Sequence, residues 1–214
     1  MAYRPQLAAA LSGASLGQLA YWRRRTGSGE PILIPEISQS PLLYSFRDVV
    51  ALRTTVYLRG ERISLQRIRR ALGTLQDLGE VDHLSRYRLR AQGNSVVLLP
   101  PDAPPVDLVD RPGQQVTTVV MADVLRPFAT SEDVTVPDLL HPRQTLRVDP
   151  EVRGGHPVVS GTRVPFEMIA SLVRDGVPAA EITDYYPSVS AAAATDALDF
   201  ADYVDHYARR APAA

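Results

Sequence analysis

Between Leu98 and Gly113 the chain reads LLPPDAPPVDLVDRPG, with five prolines in sixteen residues. Proline fixes φ and removes a backbone donor, so neither a helix nor a central strand continues through such a stretch, which reads as a linker. A 214-residue chain interrupted there is expected to fold as two units, each near the usual domain size of roughly 100 residues. Hydrophobic residues at 45% and charged residues at 22% leave enough apolar surface for a core in each. The net charge of −1 conceals a polarity along the chain: residues 1–90 hold 14 arginines against 7 acids, a net of +7, and residues 91–214 hold 9 against 17, a net of −8. Two halves of opposite sign are expected to meet different partners.

The residue inventory excludes several chemistries. With no cysteine, disulfides, thiolate metal sites and cysteine nucleophiles are impossible, and a reducing compartment is expected. His83, His141, His156 and His206 are scattered, without the three-to-five-residue spacing of a zinc pair, so no metal is expected. The opening MAYRPQLAAALSG is no signal sequence, and no run approaches the roughly 20 apolar residues that span a bilayer, so a soluble, cytoplasmic protein is expected. There is no nucleophile elbow, phosphate loop or convergent acid–base pair, which argues against an enzyme and against a cofactor.

Periodicity and punctuation predict helices at Gln6–Leu11, Leu16–Arg25, Ser45–Leu58 and Leu65–Leu78, then a small hairpin from Val81–Arg90 and Ser95–Leu99 about Gln92-Gly93-Asn94. Val116–Met121 reads as a strand and Ala122–Phe128 as a short helix. Leu146–Val148 and Pro157–Val159 flank Gly154-Gly155 as a second hairpin. Helices follow at Pro165–Arg174, Pro178–Tyr186 and Ala191–Tyr207, with Ser190 as cap of the last. The fold expected is α+β and mainly helical, in three parts: 1–78, a β-containing region 79–145, and a trihelical module with a short hairpin at 146–214.

The segment LAAALSGASLGQLAYWRRR has the mechanics of a helix-turn-helix. Ala9 permits close helix crossing, Gly13 a positive φ at the turn, Ser15 a cap, and Leu19 and Trp22 share one buried face. Gln18 and Tyr21 then point outward. Gln18 has the bidentate amide that reads adenine, and Arg23, Arg24 and Arg25 carry charge suited to phosphates. Downstream, Tyr44-Ser45, Asp48-Val49, Leu52, Arg59-Gly60 and Ser64-Leu65 with Ile68 resemble the MerR family of winged helix-turn-helix regulators over residues 4–78. The resemblance implies operator DNA as partner, through Ser15, Gln18, Tyr21, Arg23, Arg24, Arg25 and Tyr44. The family's recognition-helix Leu-Arg-Tyr-Tyr-Glu is replaced here by Leu19-Ala20-Tyr21-Trp22-Arg23, and the wing's Tyr-Arg by Pro41-Leu42. Two usual phosphate-contacting arginines are therefore missing, and a MerR-like scaffold turned to protein contacts is the competing reading. In the basic run Arg67, Arg69, Arg70, helical geometry puts 67 and 70 on one solvated side and 69 elsewhere.

From Leu146, the residues Asp149-Pro150, Gly154-Gly155, Pro157, Ser160-Gly161-Thr162-Arg163, Pro165, Gly176, Tyr186-Pro187 and Ala197-Leu198 are similar to the domain of unknown function 433 found in type II antitoxins, including VapB-like proteins. Together with a MerR-like module this resembles antitoxins of the mycobacterial VapBC type. The resemblance implies an antitoxin that neutralises a VapC-like PIN-fold ribonuclease toxin and represses its own operon, as a homodimer or in a toxin–antitoxin hetero-oligomer. The alternative is a stand-alone MerR-like regulator whose C-terminal domain senses or dimerises. Within the motif, Gly155, Pro157, Gly161, Thr162 and Pro165 are structural, and Arg163 is expected to tie down Asp149 or nearby carbonyls. Arg209 and Arg210 are candidates for insertion into an acidic nuclease site. Asp196, Asp199, Asp202 and Asp205 fan over about 180° and about 14 Å of helix, which suits a solvated or partner-facing surface and not a metal site. Leu198, Ala201, Val204 and Ala208, on the other side, are small enough for packing with a second copy.

Overall fold

The computed structural model describes residues 2–25, 31–77, 89–92, 95–99, 104–110, 112, 124–130 and 133–210. The fold is α+β, combining helices with small antiparallel strand pairs. Helix α1 (Pro5–Ser12) starts on a proline, whose missing N–H would be unpaired there anyway. It ends at Gly13, where φ is +81° and an added Cβ would lie 2.6 Å from a Val136 methyl; the turn and the close approach both require glycine. Helix α2 (Leu16–Trp22) opens on a capping box, the Ser15 Oγ accepting from the Gln18 N–H at 3.0 Å and the Ser15 N–H donating to Gln18 Oε1 at 2.8 Å.

A ribbon of β1 (Ser38–Gln39) and β2 (Leu42–Leu43) then turns through a cis Ser40–Pro41 bond into α3 (Phe46–Gly60). A second capping box starts α3: the Asp48 N–H donates to Ser45 Oγ at 3.0 Å, and the Ser45 N–H to Asp48 Oδ2 at 2.7 Å. Ser64 Oγ accepts from the Arg67 N–H at 3.3 Å at the head of α4 (Leu65–Asp77).

In the middle of the chain, β3 (Leu89–Gln92), β4 (Ser95–Leu98) and β5 (Val106–Asp107) form an antiparallel sheet in that order. The hairpin expected there exists in its described part; 81–88, 93 and 94 lie outside the described residues. The linker expected at 98–113 is not free of structure. Beyond its second proline pair the backbone donors return, Val106–Asp107 joins β4 as an edge, and Leu108 and Val109 are buried. Asp107 Oδ1 fixes this corner by accepting from Ser95 Oγ (2.7 Å) and from the N–H groups of Val109 (2.8 Å) and Asp110 (2.9 Å). The strand expected at 116–121 lies outside the described residues. Where a short helix was expected to reach Phe128, β6 (Phe128–Ala129) pairs with β7 (Thr135–Val136), because Pro127 removes a helical donor and Thr130 closes a hairpin with Val134 at 2.9 Å.

The C-terminal hairpin pairs β8 (Leu146–Arg147) with β9 (Val158–Val159), Leu146 opposite Val159. Helix α5 (Phe166–Arg174) follows; the helix expected at Pro178–Tyr186 comes as a 3₁₀ turn and α6 (Ile182–Tyr185). Helix α7 (Ala191–Arg210) starts with the Ala193 N–H donating to Ser190 Oγ at 3.2 Å. It lies against both α5 and α1. Ala194, Ala197 and Phe200 are buried; of the face assigned to a second copy of the chain, Ala201 and Val204 are buried in the chain's own core, and Leu198 and Ala208 are half-buried.

Besides the packing of α7 on α1, polar and ring contacts join the N-terminal part of the chain to the C-terminal module. The Tyr203 hydroxyl donates to the Ala10 carbonyl at 3.0 Å, and the Tyr3 hydroxyl to the carbonyl of Gly155. The His156 ring stands between Tyr3 and Phe166, with centroids 6.2 and 6.0 Å away. Gly155, at φ +85°, would put a Cβ 2.7 Å from the Tyr3 hydroxyl, so this seam is part of why the motif needs glycine there.

Candidate nucleic-acid interface

Along α2 exposure rises toward the C-terminal end. Leu16, Gly17 and Gln18 are half-buried, Leu19 and Trp22 are buried, and Tyr21, Arg23, Arg24 and Arg25 are exposed. The helix therefore presents an aromatic ring, and three guanidinium groups follow in the turn beyond Trp22, where α2 ends three residues short of the expected Arg25; Leu19 and Trp22 anchor the helix from behind. Arg23 is its C-cap residue, and Ile32 donates its N–H to the Trp22 carbonyl at 2.8 Å, which pins the returning chain at this end.

The sequence-predicted residues separate into two groups. Tyr21, Arg23, Arg24 and Arg25 are together on the surface. Ser15 is engaged in the cap, and so is Gln18 Oε1, so reading adenine with both ends of the Gln18 amide competes with capping α2. Tyr44 is only 1% exposed; its backbone pairs with that of Tyr3 at 2.8 and 3.0 Å. Burial pushes the Tyr44 hydroxyl up to about 12, with the nearby Arg23 pulling the other way. Tyr44 therefore belongs to the core that supports the surface, and its expected place at a DNA contact is corrected on that ground.

Sequence reasoning missed Arg69. Its guanidinium lies over the Tyr21 ring at 5.6 Å, bringing a cation from α4 to the exposed end of α2. The available signal was positional: 65, 69 and 72 follow an i, i+4, i+7 stripe, which flanks the buried face of α4 at Ile68 and Ala71. Arg67 is not a free patch residue, since it meets Asp110 at 2.6 Å. Arg47 is likewise engaged by Glu36 at 3.1 Å, and Glu36 also accepts from Ser45 Oγ at 2.8 Å.

The C-terminal motif is mostly turn machinery. Pro157 and Pro165 are buried, Gly161 has φ +74°, and Thr162 Oγ1 donates to the Val159 carbonyl (2.8 Å) while accepting from the Val164 N–H (3.0 Å). Arg163 does not tie down Asp149: Arg147 does so at 2.7 Å, and Arg163 is exposed with no bonding partner among the described residues. The acidic face of α7 is also not bare. Asp196 accepts from the Thr145 N–H (2.8 Å) and Oγ1 (2.7 Å), Asp199 pairs with Arg143, and Asp202 and Asp205 hold Arg174 at 2.6 and 2.9 Å. Arg209 is exposed near the end of α7; the Arg210 side chain lies outside the described residues. No group of metal-ligating side chains occurs among the described residues, and no helix there is long and apolar enough to cross a membrane.

The family model for a protein family of unknown function, DUF433, matches residues 146–201. Two curated relatives, the uncharacterized HTH-type transcriptional regulators Rv1830 of Mycobacterium tuberculosis and Mb1861 of Mycobacterium bovis, are each 31% identical over 129 residues, covering 58% of this chain and 54% of theirs. The chain thus spans about half the length of the curated relatives it matches. The crystal structure of Rv2018 from Mycobacterium tuberculosis superposes at a TM-score of 0.53 with 15% identity, covering 92% of this chain and 96% of that one, a likeness of fold alone.

Proposed function

We propose that the chain is a DNA-binding transcription regulator that docks through the exposed end of α2. The observation that carries this reading is the surface formed by Tyr21, Arg23, Arg24 and Arg25, presented by the end of a capped helix and the turn that follows it. The β1–β2 ribbon following α2 has the position of a wing, as in a MerR-like winged helix-turn-helix. The HTH-type names of the relatives agree with this reading. Recognition of a palindromic operator would require a homodimer. Binding to duplex DNA from upstream of the reading frame, followed by fluorescence anisotropy, is expected to weaken steeply with salt; each lost phosphate contact lowers the log–log slope by about 0.9. Removal of Arg23, Arg24 and Arg25 together should flatten that slope by about two to three on the same basis. A flat salt response, or no binding at low salt, would sink this reading.

The C-terminal module supports a finer proposal: an antitoxin that masks a VapC-like PIN-fold ribonuclease and acts without catalytic chemistry of its own. The DUF433 match and the unengaged Arg163 favour it, with Arg209 and Arg210 as further contacts. The internal pairing of Asp199, Asp202 and Asp205 reduces what an acidic α7 face contributes to a basic nuclease rim. Co-expression with an adjacent toxic PIN-like protein decides the matter: rescue of growth is expected, and persistent toxicity would reject the antitoxin role.

A further inference from the structure

We propose that Arg69 is a positioning residue for DNA binding, holding Tyr21 at the interface from the neighbouring helix. The inference rests on the DNA-binding reading above. Tyr21 is the one aromatic side chain on α2 that is strongly exposed, at 43%, and a ring so exposed at the end of a seven-residue helix has little to fix its rotamer. The Arg69 guanidinium lies 5.6 Å from the ring centroid, and its Nε and Nη2 atoms are buried, so the cation is held beneath the ring instead of reaching into solvent. A cation over an aromatic face is attracted by the ring quadrupole, more strongly where water is excluded. Arg69 also places positive charge behind a surface whose front carries Arg23, Arg24 and Arg25. Its side chain is half-buried on α4, whose Ile68 and Ala71 are seated in the core, so the ring is braced against a second element.

A residue acting in this way has a signature different from that of a phosphate contact. With duplex DNA from upstream of the reading frame as probe, Arg69→Ala is expected to weaken binding about tenfold while leaving the salt slope unchanged; a lost phosphate contact would lower it by about 0.9. Arg69→Lys, which keeps a cation over the ring, should recover most of the affinity. Tyr21→Leu should cost about as much as Arg69→Ala, Tyr21→Phe little, and the double variant Tyr21→Leu with Arg69→Ala no more than either single change, because the two act as a unit. Melting temperatures within a few degrees of the parent protein identify variants that remain folded; should Arg69→Ala fail that control, the Arg69→Lys and Tyr21 series decides. Additive losses for the pair, or a slope reduced by one for Arg69→Ala, would overturn the proposal while leaving the DNA-binding reading intact. Absence of binding by the parent protein would remove both.

Discussion

Arg53 is fully buried in α3, where its guanidinium donates to main-chain carbonyls: Nε to Val124 (2.6 Å), Nη1 to Leu11, and Nη2 to Leu125 (3.4 Å), Arg126 (2.9 Å) and Pro137 (3.1 Å). A buried cation costs several kcal/mol to desolvate and is retained when its donors are satisfied. Here those donors collect the end of α1 and the segments that enter β6 and leave β7. Arg53→Met is expected to destabilise by about 3–5 kcal/mol, because it strands carbonyls away from water, and Arg53→Lys should recover little, since an ammonium lacks the planar fork. Urea unfolding measures this; a loss below about 1 kcal/mol would mean that the carbonyls find water or other partners. Sequence reading had no access to this role, because an arginine in a helical stripe announces neither its burial nor carbonyls that come from 42 to 84 residues away. The same blindness placed Arg163 in a bond and Arg67 on a free solvated side, and left Arg69 without a neighbour. The direction of a long side chain depends on neighbours that local spacing does not name.

At the scale of elements, what was legible was what is chemically local. Ser15, Ser64 and Ser190 each cap the helix that follows, and Gly13 and Gly176 turn the chain at positive φ, because a cap or a left-handed turn is written within three or four residues; Ser45, expected as the first residue of its helix, is its cap. The two-residue strands β5, β6 and β7 were not legible, since a pair of residues carries no period and each is defined by a partner. The α7 aspartates show the same division. Their fan around the helix followed from geometry, whereas Arg143, Thr145 and Arg174 come from elsewhere in the chain. Asp196→Ala is expected to cost about 1–2 kcal/mol, because it leaves the Thr145 N–H and hydroxyl without their acceptor. Asp199→Ala and Asp202→Ala remove exposed ion pairs and should each cost less than about 1 kcal/mol, an effect that fades with salt. Thermal melts at low and high salt separate the two kinds; equal losses at all three positions would contradict the distinction.

Over the whole molecule, the proline-rich break and the change of charge sign divide the chain in sequence, yet α7 lies across α1, and the seam between them is built from tyrosines. Burial raises the hydroxyls of Tyr3 and Tyr203 far above their ordinary value of 10, and that of Tyr44 to about 12. The consequence has a definite sign. Below pH 10 these phenols are protonated in both folded and unfolded chains and add no pH dependence; above it the unfolded chain releases protons that the folded chain retains, so stability falls as pH rises. Each such tyrosine contributes a slope of at most about 1.4 kcal/mol per pH unit, approached only midway between the unfolded and folded values, so the alkaline loss is steepest near pH 11 and Tyr44 drops out of it toward pH 12. Tyr203→Phe removes one ionisation along with the hydrogen bond to Ala10, so it should lower stability by about 1 kcal/mol at neutral pH while reducing the alkaline slope by about a third. Denaturant unfolding from pH 8 to 12 tests both effects. Because Tyr3 and Tyr44 bond through their backbones and Tyr3 reaches Gly155, the two sides of the seam should be lost in a single transition. Two transitions, with the alkaline slope confined to one of them, would show that the halves unfold separately and that the seam is too weak for a partner bound to the C-terminal module to influence α2.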